Sequence, residues 1–554
     1  MEQVEHDLVL HGGKIVTLDA SSRIVCAIGV KGGRISAAGE VAEVLKGCSP
    51  FTKVLDVSGK TVTPGFFDGH PHMDRAGLRQ RGGIPLDGCH SIADIQEVIR
   101  EAASRTPSHE WIVLMPMGRM LDYVYRPDQL AEGRFPDRHD LDKAAPHNPV
   151  YIRPPWGWWT HRPLPAIANT RALEVAGINR QSAPPYKVEM LADGSGDPTG
   201  IFLDYNFSPL LEFTLMSCVP RFTYEDRVHS ARAGAAVYSA AGTTSGYEGH
   251  GVTPALMHAY REVHAAGELS VRVQLPLSVP TSAFDMPKIA DMLFHWSRTL
   301  GGRGQGDDVL RLEGICLDLG DPEASKVIAG GFPYDQWAGH YRQALSYDRL
   351  VEIGLLAARL GLRVNCCVPS DMECVIRAFE AINAQIPIVD RRWVMIHVVE
   401  ATPDQLRRMK ALGVVVTVNP NFMYMAGDRF ELGKLGERGT PIRQLIDAGI
   451  PTALSTDNVP PSMLFAMGQA LTRWDNDSQT SLGESRLTRE EALRLSTLAG
   501  HWLTWQEESR GSLGVGNVAD IAVLDGDPLT CEANALKSIK VERCFLAGRQ
   551  VFAQ

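Results

Sequence analysis

The chain has 554 residues, of which 44% are hydrophobic, and a formal net charge of -10. This apolar content is enough for a large buried core, and the acidic balance without a dense Lys/Arg cluster argues against nucleic acid as a partner. No apolar stretch approaches the roughly 18 residues that a membrane span needs, so no membrane partner is expected. The ten cysteines lack regular spacing, which is typical of buried thiols in a reducing compartment.

The first strands of the chain are predicted by short alternating runs. Residues 7–60 alternate apolar and polar positions between glycine turns, and the same pattern returns near the C-terminus in GVGNVADIAVLDGDPL. We therefore predict a small β-sandwich that both termini build together, from residues 1–63 and 502–554. The first residues, MEQVEHDLVL, are acidic and unlike a signal peptide, so a cytoplasmic location is expected.

The middle of the chain, residues 64–501, predicts an α/β fold of the (β/α)8 TIM barrel type. Strand-like runs alternate there with amphipathic segments such as PDQLRRMKALG and TPIRQLIDAG. After the run that ends at His70, the predicted strands are GTTSGYEGHG, SVRVQLPLSV, RLEGICLDLGD, RVNCCVPSD, WVMIHVVE, VVVTVNPNF and PTALSTDNV. Active sites of such barrels lie at the carboxyl ends of the strands.

A long segment separates the first and second predicted barrel strands. Residues at about 80–225 are too many for a single barrel loop, so we predict a large insertion with structure of its own after the first strand. It contains the aromatic run RPPWGWWTHRPL. Trp156, Trp158 and Trp159 could form a wall for a flat substrate or simply the core of the insertion.

Two histidines separated by one residue follow the first predicted barrel strand. Side chains alternate along a strand with period two, so His70 and His72 lie on the same face and can reach one ion. An isolated H-x-H is a weak signal, because surface and packing roles are also open to histidine.

The sequence around these histidines resembles a known family. VTPGFFDGHPH resembles the hhPGhhDxHxH opening of the amidohydrolase superfamily, in which a terminal β-sandwich flanks a metal-bearing (β/α)8 barrel. THRPLPAIANTRALEVAGI and DGSGDPTGIFLD are similar to segments of the amidohydrolase family 3 branch, which N-substituted formamide deformylases typify. The resemblance covers nearly the whole chain.

The resemblance implies a metal-dependent hydrolase of a non-peptide C–N bond in an amide, formamide, cyclic amide or carbamate. It makes His70 and His72 the first-strand ligands and His397 the sixth-strand histidine, which ligates or polarises the carbonyl. Asp457 matches the eighth-strand aspartate, which binds metal and takes the proton of the attacking water.

Two positions depart from the family pattern. Cys316 stands where the fourth strand usually carries a bridging lysine, and Cys367 stands where the fifth strand usually carries a histidine. The remaining ligands could hold one ion, which we expect rather than two, with zinc as the expected metal. Glu248 and His250 in YEGHG could supply added ligands, and Glu248 could also transfer protons. Alternatively, the cysteines could ligate as thiolates or could be small buried hydrophobic residues.

Several further side chains are candidates for the site. His161 and Trp159 are expected to contact substrate, and Asp74 could contact substrate or a ligand histidine. Asp318 could belong to the site or cap a helix. Other histidines fall in stretches with helical pattern and are expected to face solvent or pack, namely His258, His264 and His340.

Two other functions remain open. The missing lysine and histidine could mark a family member with changed chemistry, such as a lyase, hydratase, decarboxylase or C–C hydrolase acting on a small aromatic or carbonyl compound. A barrel that only binds ligands is the third reading. Each has a small-molecule partner, and related barrels often form homodimers, so a homodimer is also an expectation.

Overall fold

The structure is a computed structural model that describes residues 5–157, 159–368, 371–425, 432–484 and 487–554. Trp158, one of the residues in the aromatic run, lies outside this part of the chain.

Strands from both ends of the chain share one mixed sheet, in the order β26-β25-β24-β5-β1-β2-β3, with β4 beside β1. These strands are β1 (Leu8–Val16), β2 (Ile24–Lys31), β3 (Arg34–Gly39), β4 (Lys53–Asp56), β5 (Thr61–Pro64), β24 (Ile521–Leu524), β25 (Val541–Leu546) and β26 (Arg549–Ala553). The antiparallel pairing of β24 with β5 joins the C-terminal part of the chain to the N-terminal part. The division at 1–63 and 502–554 and the two-layer arrangement remain predictions.

Eight parallel strands form a nearly closed barrel, and they pair in the order in which they follow along the chain. They are β6 (Phe66–Asp68), β14 (Thr243–Tyr247), β15 (Arg272–Ser278), β17 (Leu310–Asp318), β18 (Val364–Cys367), β19 (Val394–Ile396), β20 (Val415–Val418) and β21 (Thr452–Leu454). Each overlaps one of the predicted runs, so the predicted TIM barrel is confirmed.

Helices follow the barrel strands along the chain. They are α6 (Tyr224–Ala240), α7 (Pro254–Ala265), α8 (Met286–Leu300), α9 (Pro322–Ala329), α10 (Tyr347–Arg359), α11 (Met372–Asn383), α12 (Pro403–Ala411), α13 (Phe422–Met425), α14 (Leu432–Leu435), α15 (Ile442–Asp447), α16 (Met463–Thr472) and α17 (Arg489–Leu495). The start of α12 shows why the sequence folds this way: the Thr402 side chain accepts from the backbone of Gln405, whose own side chain returns to Thr402, and Pro403 fits the first turn.

Residues between the first and second barrel strands form a separate sheet, in the order β12-β13-β11-β10-β8-β7, with β9 beside β8. Its strands are β7 (Ile84–Leu86), β8 (Ile112–Arg119), β9 (Asp122–Tyr123), β10 (Val150–Ile152), β11 (Leu164–Ala168), β12 (Val188–Ala192) and β13 (Pro198–Asp204). The helices of this region are α2 (Met73–Arg81), α3 (Ile92–Arg105), α4 (Arg138–Ala144) and α5 (Thr170–Ala176). The boundaries of the insertion at about 80–225 remain a prediction.

The smaller elements complete the description. They are α1 (Val41–Leu45), the short strands β16 (Gln305–Gly306), β22 (Trp474–Asp475) and β23 (Thr480–Ser481), and the 3₁₀ turns Pro127–Gln129, Leu211–Phe213, Val389–Arg391, Gly436–Arg438, Ala499–Trp502 and Ala533–Ser538.

The first and eighth barrel strands are joined at the end where the site lies. The backbone N–H of Gly69 donates to the carbonyl of Leu454 at 3.0 Å, and that of Asp457 donates to the carbonyl of His70 at 2.9 Å. These bonds fix the end of β6 beside the end of β21, so residues that are far apart in sequence meet at one edge of the barrel.

Candidate metal centre

His70 and His72 lie together at the carboxyl end of β6, with ring centroids 4.4 Å apart. The buried Asp68 carboxylate holds this turn, because it accepts the backbone N–H of His70 at 3.0 Å and the hydroxyl of Thr456 at 2.5 Å. Burial raises the pKa of Asp68 to about 6, against the lowering effect of these hydrogen bonds. His72 has a φ of 47°, a left-handed conformation that is uncommon outside glycine.

The barrel end brings five side chains into two overlapping groups of metal-ligand type. His70, His250 and His397 form one group, and His70, His72 and Asp457 form the other, with the ligand atoms of each group within 4.8 Å of one another. All five residues are buried. The structure therefore collects five of the six side chains that the sequence indicated as metal ligands, and the sixth, Glu248, contacts them.

Several ring nitrogens in these groups have no hydrogen-bond partner among the described residues. They are both nitrogens of His70, Nε2 of His72 and Nδ1 of His250, all of them buried. A buried polar atom left without a partner costs about 1–3 kcal/mol, whereas a metal ion satisfies an imidazole lone pair directly. Burial also lowers the pKa of these three histidines well below the usual range, which keeps them neutral. The centre fits a divalent cation.

Two contacts orient the ligand rings. His397 Nδ1 lies 2.6 Å from Asn419 Oδ1, so its N–H donates there and its Nε2 is the nitrogen that carries the lone pair. Burial lowers the pKa of His397 to about 4. His72 Nδ1 lies 3.1 Å from Glu248 Oε2, while Oε1 of this glutamate accepts the backbone N–H of Met73 at 3.0 Å. Glu248 thus holds the ring whose Nε2 lies 3.3 Å from Asp457 Oδ1.

The two unusual cysteines differ in their surroundings. Cys367 Sγ lies 3.6 Å from His250 Nε2, at the edge of the centre. Cys316 Sγ lies 3.7 Å from the carbonyl of Leu317. Burial raises the pKa of both thiols well above the usual range, and neither belongs to the two ligand groups found among the described residues. Their surroundings favour protonated thiols.

His340 is a residue of this site whose place the sequence analysis predicted wrongly. It does not lie in a helix but in the segment between α9 and α10, and its ring stacks on His250 with centroids 4.6 Å apart and planes 5° from parallel. Arg75 Nη2 lies 3.1 Å from His340 Nδ1. A guanidinium can only donate, so Nδ1 accepts and the proton sits on Nε2, which makes His340 a donor rather than a ligand.

Arg75 brings a positive charge into the same centre, and no sequence signal marked it. Its side chain donates to the carbonyl of Ala338 at 2.9 Å and 3.2 Å, and its Nη1 lies 3.9 Å from Asp457 Oδ1. The guanidinium also lies 5.0 Å above the ring of Trp156. Trp156 is thus the member of the aromatic run that the described contacts bring to the centre.

His258 and His264 do lie on α7, as predicted.

A cavity of about 720 Å³ adjoins the centre, a volume in the range of small-molecule sites. His250, Cys367, Asp318 and Arg342 line it at the barrel end. Other lining residues come from the insertion, including Arg162, Tyr186, Lys187, Tyr205 and Phe207. Asp318 does not cap α9, because Asp321 is the capping residue there. A small molecule could reach His250 through this cavity.

The predicted substrate-contact residues make contacts with other side chains in the structure. Trp159 packs edge-on against Trp337 at 5.2 Å, within a buried aromatic cluster. His161 Nε2 lies 3.0 Å from Asp477 Oδ2 and lines a separate outer hollow. Asp74 Oδ2 lies 3.5 Å from Arg227 Nη1. Contact of these three residues with substrate stays a prediction.

Comparisons with known proteins agree with this architecture. The sequence profile of the amidohydrolase family matches residues 53–552. The chain is 26% identical to N-substituted formamide deformylase of Arthrobacter pascens, over 98% of this chain and 97% of that protein. Its fold is similar to that of an uncharacterised metal-dependent hydrolase from Pyrococcus horikoshii OT3, with a TM-score of 0.66, 21% identity and coverage of 95% of this chain and 99% of that one. It is also similar to an adenosine deaminase from Xanthomonas campestris with bound zinc, with a TM-score of 0.51, 14% identity and coverage of 100% and 94%.

Among the helices that the structure describes, none combines the length and the apolar character required to cross a membrane.

Proposed function

Since the chain belongs to the amidohydrolase family, we propose that it hydrolyses a non-peptide C–N bond, in an amide, formamide, cyclic amide or carbamate, with the help of a divalent metal. The observation that carries this proposal is the set of buried, unpartnered histidine nitrogens beside Asp457 at the end of the barrel. The similarity to a formamide deformylase supports the C–N bond as the target.

We propose that the centre holds one ion, and that the ion is zinc. His70 is common to both ligand groups, and a neutral imidazole has a single free lone pair, so His70 can serve one ion at a time. Imidazole and carboxylate groups, which make up both ligand groups, suit zinc. His70, His72, His250, His397 and Asp457 are more donors than a four-coordinate ion needs, and we propose that three of them bind it and leave one position for water or substrate.

The bound ion would polarise the substrate carbonyl and lower the pKa of water. Asp457 is the group that takes the proton from the attacking water and passes it to the leaving nitrogen, because its carboxylate lies among the ligand nitrogens. His397, held by Asn419, ligates or polarises the carbonyl. Glu248 orients His72 and is the candidate for moving the proton onward.

The experiment measures metal content by mass spectrometry and screens formamides, cyclic amides and carbamates for released amine. We expect close to one equivalent of zinc, and we expect His70→Ala to lose metal and activity together. His264→Ala is the matched control, because His264 lies on α7 and contacts Asp307 at 2.8 Å instead of the centre. Full activity in metal-free protein or in His70→Ala would overturn the proposal.

Changed chemistry is the second candidate, favoured by cysteine at the two family ligand positions, Cys316 and Cys367. A lyase, hydratase, decarboxylase or C–C hydrolase would use the same cavity and release no amine. The amine screen therefore separates the two functions. The substrate class, the cytoplasmic location and the homodimer remain predictions.

A further inference from the structure

Arg342 is a charged residue at the cavity that the proposed reaction does not use. It lies in the segment between α9 and α10, two residues beyond His340, and lines the cavity together with His250 and Cys367. Its side chain is 13% exposed. A guanidinium in such a place normally has several acceptors, because burying a charge without partners is costly.

The Arg342 guanidinium lacks these acceptors among the described residues. Nε is buried without a hydrogen-bond partner, and Nη1 lies 4.0 Å from Asp318 Oδ2, beyond hydrogen-bond distance. The group stacks over Trp156, 4.7 Å from the ring centroid. Burial lowers the pKa of Arg342 to about 10, partly offset by Asp318, so it stays charged at neutral pH.

The other basic residues of the cavity are engaged. Lys187 Nζ lies 3.1 Å from Asp321 Oδ2, and Arg162 Nη1 donates to the carbonyl of Tyr205 at 3.2 Å. Asp318 lies beside Arg342 and keeps most of its charge at neutral pH, since burial raises its pKa only to about 6, but at 4.0 Å it takes up no hydrogen-bond donor of the guanidinium. Among the described residues, Arg342 is thus the basic residue of the cavity whose guanidinium has no hydrogen-bond acceptor within the protein.

We propose that Arg342 binds a carboxylate of the substrate, so that the protein acts on amides, formamides or related compounds that carry an acidic group. A guanidinium presents its donors as a planar fork that matches two carboxylate oxygens. The guanidinium carbon lies 4.7 Å from the centroid of the Trp156 ring, a contact that helps to hold the group at the cavity. The cleavage of acidic substrates rests on the proposed C–N hydrolysis, whereas the binding of a carboxylate by Arg342 does not depend on it.

The activity experiment compares formate release from N-formyl ω-amino acids of two to six carbons with release from their neutral N-methylamides. We expect kcat/KM to favour the acids, and Arg342→Gln to lower kcat/KM for the best acid by about 100-fold, the usual size for a lost charge-assisted contact, while changing the amides by less than about 3-fold. Arg342→Lys should retain part of the preference, since it keeps the charge without the fork. Arg298→Gln on the exposed side of α8 is the control.

The binding experiment measures carboxylates of two to six carbons and the matching primary alcohols by calorimetry. Carboxylate binding that Arg342→Gln removes supports the inference, even if no formamide is cleaved and the proposed reaction fails. Absence of carboxylate binding by the wild type overturns the inference, as does an equal loss of acid and amide hydrolysis in both Arg342 variants, which would show a structural role. Thermal melting of each variant identifies misfolded protein. Asp318→Asn is a second test variant that leaves Arg342 in place: because it removes a negative charge beside Arg342, it should strengthen carboxylate binding.

Discussion

His501 is a buried histidine outside the metal centre, and it should make folding stability depend on pH. Its ring packs edge-on against Phe67 with centroids 4.9 Å apart, and its Nδ1 has no hydrogen-bond partner among the described residues. Burial, with a further contribution from the charge of Arg510, lowers the pKa of His501 from 6.5 to about 3. The residue thus shows the effect of burial on a histidine in the absence of metal ligation.

The direction of the change in folding stability with pH follows from the number of protons that the folded and unfolded chains bind. Between pH 6.5 and about 3 the unfolded chain binds a proton at His501 and the folded chain does not, so stability falls as the pH falls through this window. Each pKa unit corresponds to about 1.4 kcal/mol, so the loss from this residue at about pH 4.5 is roughly 2 to 3 kcal/mol. The loss from this source fades as the pH rises above 6.5, because the unfolded chain then releases the proton as well.

The assay is urea unfolding under reversible conditions at about pH 7 and about pH 4.5, for the wild type and His501→Leu. Leucine cannot titrate and suits the apolar surroundings, so the variant should lose roughly 2 to 3 kcal/mol less than the wild type on acidification. His264→Leu, at a half-buried surface position, is the control and should follow the wild type. Equal losses in the wild type and His501→Leu would refute the reasoning.

Three further predictions concern the centre. Gly249→Ala would place a Cβ 2.4 Å from His70 Nδ1, so metal content by mass spectrometry should fall well below that of Gly88→Ala, where the added carbon meets nothing within 4 Å. Normal metal content in Gly249→Ala would contradict this packing. Asn419→Leu removes the acceptor of His397 and should weaken metal affinity by about 10- to 100-fold in equilibrium dialysis; an unchanged affinity would rule out this orienting role. Removal of metal by a chelator should lower the melting temperature, because the ion binds only the folded chain, and an unchanged melting temperature would speak against a bound ion.

The barrel strands could be predicted from the sequence because each is a short apolar run between turns and amphipathic helices. The run VVVTVNPNF, for instance, contains β20 at Val415–Val418, and PDQLRRMKALG contains α12. Period and turn chemistry are local properties, so they are visible in one chain. The pairing order and register of the terminal strands are long-range properties, and the pattern indicated only that both termini build one β-structure together.

The site was predictable where its residues follow strands and unpredictable where they lie in a long loop. His70, His250, His397 and Asp457 all come directly after a barrel strand. His340 follows a stretch without regular period, so its helical assignment was wrong. The one available signal was the concentration of polar residues in GHYRQ between the fourth strand and α10, because βα loops of a barrel carry site residues.

The contact between His250 and Cys367 predicts that the side chains at these two positions depend on each other. Cys367 Sγ lies 3.6 Å from His250 Nε2, so the small thiol occupies the space beside the ring. A histidine at position 367 would bring a larger side chain into the same space, and the two rings would compete for it. Cysteine at the fifth strand and histidine at the end of the second are therefore coupled. If His250 ligates the ion, as proposed, the donor that the resemblance places on the fifth strand is supplied from the end of the second strand instead.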